Sequence, residues 1–324
     1  MIKKKTVLIL GAGASAPYGY PIGRGLRQSI LKLSSNEGAN LTRLAGLRAS
    51  YSESRGDELD VFVEAFRKSQ NESIDAFLAH RPKFENIGKR AIAAVLLDVE
   101  NWDSLFRYEP EDHWYQYLLR YIAEEPWSEV DLSNLAIVTF NYDRSLEHYL
   151  LGVFIERSGK NREEVAGKLK QLEIVHVYGS LGSPLPEIED PVDKFGGGVS
   201  EERVLHAAEC IRVIPEGRNE DESLVRARSL LQGADRIAFL GFGFDKTNLL
   251  RLDAQKTCKM RLDRGGGILQ RPIMATCVGL TNAERKAAFR STAGLVSKES
   301  IIDLLFFDAN CTTMLRETLF FEPN

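Results

Sequence analysis

The sequence predicts an α/β fold: a parallel sheet flanked by helices, with a mostly helical subdomain inserted over approximately residues 25–130. An apolar, β-branched run at 7–10 opens directly into a turn carrying Gly11 and Gly13, the order of a buried strand feeding a nucleotide-binding turn. Beyond residue 134, short apolar runs alternate with amphipathic ones, as strands and helices do in a parallel sheet covered on both faces. Between those two regions the apolar residues recur at helical spacing.

After the strand at 7–10, the small residues Ala14, Ser15 and Ala16 follow the glycines, and Gly19 and Pro21 mark a second turn. Leu26, Ile30 and Leu33 give helical spacing within 23–49, and the runs 59–66, 74–78, 87–102 and 115–122 repeat it. The strand–helix rhythm then reads as strand 135–140, helix 145–158 and strand 174–178. Residues 182–200, rich in Pro, Gly and acidic side chains, read as an exposed loop over the site. Helix 222–232, strand 236–240, helix 246–254 and strand 272–279 complete one Rossmann-like domain over 1–324 that carries the insertion.

A net charge of -4 leaves no basic footprint for nucleic acid, and Lys3, Lys4 and Lys5 form only a short solvated tail. No apolar run reaches the roughly 18 residues of a membrane span, and the first residues lack a signal-peptide pattern. Cys210, Cys258, Cys277 and Cys311 are far apart and form no C-x-x-C pair, so the expectation is free thiols, no metal and a cytoplasmic setting.

An ordinary dehydrogenase would add an acidic residue at the end of a second strand about 20 residues on, but none occurs before Glu37. Gly11-Ala12-Gly13-Ala14-Ser15, then Gly19, Pro21 and Arg24, instead resembles the sirtuin signature GAGxSxxxGxPxxR. Phe140-Asn141-Tyr142-Asp143 is similar to the sirtuin Q-N-x-D block. His176-Val177-Tyr178-Gly179-Ser180 is similar to its H-G-S block. The run 237–244, with Gly241 and Gly243, resembles the later strand and glycine turn that complete the nucleotide site. Ser73-Ile74-Asp75-Ala76-Phe77-Leu78 resembles a segment of the bacterial sirtuin-like proteins of antiphage defence.

That resemblance implies NAD+ as substrate, held by Gly11, Ala12, Gly13, Ala14, Ser15, Pro21, Arg24, Tyr178, Gly179, Ser180, Gly241 and Gly243. It implies that Asn141 positions ribose and water and that Asp143 holds the nicotinamide carboxamide. Read from the residues alone, the Asn–Asp pair could equally cap the helix starting near Ser145. His176 is the candidate base, with Tyr178 as substitute, because sirtuins place histidine where Tyr178 stands. The paired cysteines of the sirtuin zinc module are missing, and Ile22-Gly23 replaces the Asp-Phe before the arginine. Both departures point to hydrolysis in place of acyl-lysine transfer.

The expectation is thus an NAD+ glycohydrolase that releases nicotinamide and ADP-ribose as an NAD-depleting effector of abortive infection. The alternatives are a non-catalytic NAD or ADP-ribose-binding subunit, and a protein deacylase or ADP-ribosyltransferase. Control by a homo-oligomer or a partner defence protein is expected, with Phe62, Phe66, Phe77, Leu78, Trp102, Trp114 and Trp127 as candidate interface residues.

Overall fold

The computed structural model of the chain describes residues 2–48, 57–107, 112–123, 126–185, 190–213, 221–258, 271–292, 302 and 305–322. Six parallel strands, β1 (Thr6–Leu10), β2 (Leu135–Thr139), β3 (Glu173–His176), β4 (Arg236–Leu240), β5 (Ile273–Thr276) and β6 (Phe306–Phe307), form one sheet in the order β3-β2-β1-β4-β5-β6. Every residue of β1, β2 and β4 is buried, as expected where helices cover both faces. The chain starts in the middle of the sheet, builds outward to β3, then returns to the other side of β1 with β4. That reversal places the topological switch point between β1 and β4, where an open α/β sheet leaves a crevice at its carboxyl edge.

Between β1 and β2 the described residues are helices and turns only, chiefly Gly23–Lys32, Glu58–Ser69, Ile74–His80, Glu85–Val99 and Trp114–Ile122. This segment has its own aromatic core: Phe62, Phe66, Phe77 and Phe84 are buried with ring centroids 5.1–6.2 Å apart. Trp114 ties it to the first turn by donating from Nε1 to Ala14 O at 2.8 Å, and Tyr115 stacks on Tyr18 at 3.7 Å. Of the aromatic and apolar residues considered for an interface, Phe62, Phe66, Phe77, Leu78 and Trp114 are buried within the chain. Trp102 and Trp127 pack half-buried against the same core.

Three readings of the sequence are corrected or refined here. The strand expected over 174–178 ends at His176, because the chain turns at Val177 and Tyr178 and Gly179 takes φ +72 to bridge Ile211. The segment 182–200 is a loop and most of its described residues are exposed, but it is anchored by the buried Asp193 and Phe195; residues 186–189 lie outside the described set. Asp193 is gripped by the wholly buried Arg144, which also pairs through Nε with Glu100 Oε1 at 3.1 Å. Arg203 stands 3.6 Å from the same Glu100, closing a cluster of two guanidinium groups and two carboxylates. Finally, helices Arg162–Leu169, Glu201–Cys210, Asn282–Thr292 and Cys311–Glu317, together with strand β6, had no counterpart in the sequence reading.

Candidate active site

The separated polar blocks meet at the carboxyl ends of β1, β2 and β4, around a cavity of about 550 Å³. The first turn contributes Gly11, Ala12, Gly13, Ser15 and Pro21; the segment after β2 contributes Asn141, Tyr142 and Asp143. Gly241 and Gly243 follow β4, and Tyr178 reaches in from the turn after β3. Ala14, Arg24, His176, Gly179 and Ser180 are not brought to this cavity. Ala14 is buried beneath the turn, and Arg24 is exposed, 3.8 Å from Glu72. His176, Gly179 and Ser180 line a separate, open depression.

Gly11 and Gly13 are required by backbone packing. The Gly11 N–H donates to Leu240 O at 3.0 Å, the Gly13 N–H to Gly241 O at 3.0 Å, and the Ala14 N–H to Gly11 O at 2.9 Å. A Cβ on Gly13 would stand 2.8 Å from Gly241 Cα. One on Gly241, whose φ is +58, would stand 2.0 Å from Ala14 N. The glycines therefore let two strand ends touch; two of the turn's N–H groups are consumed in that contact and a third closes the turn itself. Ala12, first residue of the helical turn Ala12–Ser15, is left as its amino-terminal donor.

Asn141 is locked in place. Its Nδ2 donates to Gly11 O at 2.9 Å and to Ser15 Oγ at 3.0 Å, which turns the amide oxygen to other acceptor duty. Asp143 accepts from the Ser145 N–H at 3.2 Å and from the Ser145 hydroxyl, so it caps the helix Ser145–Ser158 and lines the cavity at once. Burial holds its carboxyl above the usual range. Tyr142 faces the cavity together with Asn141 and Asp143, because β2 ends at Thr139 and strand alternation stops there. Its hydroxyl donates to Asp75, a half-buried carboxylate that desolvation also pushes up.

His176 cannot serve as the base in this arrangement. Its Nε2 stands 2.6 Å from Glu147 Oε1 and its Nδ1 3.2 Å from the Asn141 carbonyl oxygen. A carbonyl accepts, as does an ionised carboxylate, so both ring nitrogens are engaged with these partners and neither faces the cavity. Burial alone would depress its pKa, but the Glu147 carboxylate beside it raises it on balance. Tyr178 is in the cavity with its hydroxyl engaged: it donates to Asn248 Oδ1, accepts from Arg251, and lies 5.3 Å beneath that guanidinium. Burial first, and the Asp75 charge second, keep the phenol protonated.

Asp112 and Asp245, which the sequence reading passed over, join Asp75 and Asp143 in the wall, and no Lys, Arg or His is among its described lining residues. The segment containing Asp75 was visible as a resemblance, but its pairing with Tyr142 depends on residues 67 positions apart. Among the described residues, no cluster of His, Cys, Asp or Glu is arranged to hold a metal ion. The four cysteines are free thiols, three buried and Cys210 half-buried.

Fold and cavity together define an α/β protein with a carboxyl-edge crevice at the switch point of a parallel sheet, the usual place for a bound nucleotide. No family model matches the chain, and no curated protein is significantly similar to it in sequence.

Proposed function

We propose that the chain is an NAD+ glycohydrolase, cleaving the nicotinamide–ribose bond to give nicotinamide and ADP-ribose, and that it acts as an NAD-depleting effector of antiphage defence. One observation carries the reading: the glycine turn, Asn141 with Asp143, and Gly241 with Gly243, far apart in sequence, line one cavity at the switch point. Departure of nicotinamide neutralises its pyridinium ring and leaves an oxocarbenium-like sugar, so the site must orient the ribose and stabilise positive charge. Asn141, fixed by Gly11 and Ser15, offers its amide oxygen to a ribose hydroxyl or to the attacking water. The aspartate-rich wall favours a cationic sugar over an anionic one. A neutral leaving group makes a strong base unnecessary, which suits a site whose histidine has both ring nitrogens engaged away from the cavity. His176 becomes a positioning residue, holding Asn141 through its carbonyl while Glu147 holds the ring.

Control by self-assembly or by a partner defence protein belongs to the same proposal, motivated by the damage that unrestrained NAD+ loss does to a host cell. Burial of the large aromatic residues moves any such contact to other surfaces.

A second reading, a non-catalytic NAD or ADP-ribose-binding subunit, is favoured by a specific fact. His176 stands outside the cavity with both ring nitrogens engaged, and the Tyr178 hydroxyl is already paired with Asn248 and Arg251. Incubating the purified chain with NAD+, alone and with candidate partner proteins, separates the two. Stoichiometric nicotinamide and ADP-ribose support hydrolysis; tight NAD+ binding with no product under any of these conditions supports the binding subunit.

A further inference from the structure

Around the Asn141 end of the cavity, the polar side chains are paired with one another. Asn141 is bound to Gly11 and Ser15, Tyr142 to Asp75, Tyr115 to Ser145 at 2.7 Å, and Asp143 to Ser145. Tyr20 departs from this pattern, as does one carboxylate oxygen of Asp112 elsewhere in the lining. Tyr20 lines the cavity, is 5% exposed, and its hydroxyl has no hydrogen-bond partner. A buried hydroxyl left unpaired in a native fold is costly and calls for a reason.

Tyr20 is also held rigidly. Gly19 turns the chain at φ +92, the Tyr20 N–H donates to Ser15 O at 3.4 Å, and Pro21 fixes the following dihedral. Among the charged side chains, Asp143 acts most strongly on the phenol. Burial and that carboxylate keep the hydroxyl protonated, so it is available as a donor at neutral pH. Tyr20 and Asp143 line the same cavity, and an O–H donor together with a carboxylate acceptor is the complement of a primary carboxamide, whose oxygen accepts and whose nitrogen donates.

We infer that Tyr20 is a specificity-determining residue of this site, donating its hydroxyl to the carboxamide oxygen of the departing base while Asp143 accepts from the amide nitrogen. The inference rests on the NAD+ reading above and assigns what that reading leaves open: how the site selects an amide over an acid. A substrate carrying a carboxylate at this position would press two negative charges together at Asp143. A site built around buried donors and acceptors rejects such mismatches strongly.

The test uses the full chain and its Tyr20→Phe variant. NAD+ and its nicotinic-acid analogue are compared as substrates, nicotinamide is titrated as an inhibitor, and ADP-ribose binding is measured by calorimetry. The wild type is expected to prefer NAD+ by at least about 10²-fold. Tyr20→Phe is expected to lose about tenfold in kcat/KM for NAD+ and in nicotinamide inhibition, the scale of one hydrogen bond. ADP-ribose, which lacks the base, should bind both proteins within about twofold. The melting temperature of the ligand-free variant should hold or rise, since an unpaired buried hydroxyl has been removed.

An active wild type with an unchanged Tyr20→Phe variant overturns the assignment and leaves the hydrolase reading standing. Equal losses of NAD+ and ADP-ribose affinity also overturn it, marking Tyr20 as structural. A wild type that binds neither NAD+ nor ADP-ribose overturns the NAD+ reading, and the assignment falls with it.

Discussion

His176 illustrates how two short contacts decide a role. Because a carbonyl and an ionised carboxylate only accept, its second proton is part of the site's architecture: loss of that proton would leave the Asn141 carbonyl or the buried Glu147 without its donor. Its pKa is raised in the folded chain, so the stability it contributes is complete below its unfolded value near 6.5 and is lost as pH rises through the folded value. Activity should fall on the same alkaline limb. His176→Gln, whose amide nitrogen can replace the donor to Glu147 and carries no titratable proton, should retain part of the activity and flatten that limb in a pH profile of kcat. His176→Ala strands a buried carboxylate and should cost about 3–5 kcal/mol in denaturant melts. His148 acts in the opposite sense. It is buried, neither ring nitrogen has a hydrogen-bond partner, and burial depresses its pKa. The unfolded chain takes up that proton near pH 6.5 while the folded chain resists it, so stability should fall as pH drops below about 6.5. His148→Leu should reduce this acid sensitivity in the same melts.

At the level of elements, the crossing of the two glycine turns makes a sharp contrast between neighbouring positions. Gly241→Ala meets Ala14 N at 2.0 Å with φ +58 and should unfold the turn or block expression of folded protein. Gly243 has no neighbour within 4 Å of an added Cβ, so Gly243→Ala should leave the melting temperature unchanged. Because Gly243 lines the cavity, that methyl should raise KM for NAD+ if the nucleotide passes there, and an unaltered KM would move the nucleotide elsewhere. The β1 run and its glycine turn were legible in the sequence because their signals are local: apolar β-branched residues followed by small ones. Helix Ser145–Ser158 and strand Arg236–Leu240 matched for the same reason. What was not legible depends on distance along the chain. The pairing of Arg144 with Glu100 joins residues 44 apart, and only that cluster reveals why Asp193 is buried within a largely exposed loop. His176 and Tyr178 looked equivalent in sequence, two places apart on an assumed strand. The strand's end at His176 sends one behind Asn141 and the other into the cavity.

For the whole molecule, the helical insertion and the sheet are joined where they meet the site. Glu100 comes from the insertion, Arg144 from the segment following β2, and Asp193 and Arg203 from the region after β3. Arg144→Leu leaves two carboxylates buried without their main partner, and should cost about 3–5 kcal/mol and loosen Asp143 next to it. Restraint of activity by assembly predicts that specific activity depends on protein concentration or on a partner, with mass and turnover read from one sample. The most direct test of the central claim follows nicotinamide release from NAD+ by the wild type and by Asn141→Ala. Asn141 makes its contacts at the cavity wall, so the variant should keep the wild-type fold by circular dichroism. It should also lose at least about 10²-fold in rate, as misplaced ribose and water would require. A folded Asn141→Ala variant that releases nicotinamide within about twofold of an active wild type would contradict the account.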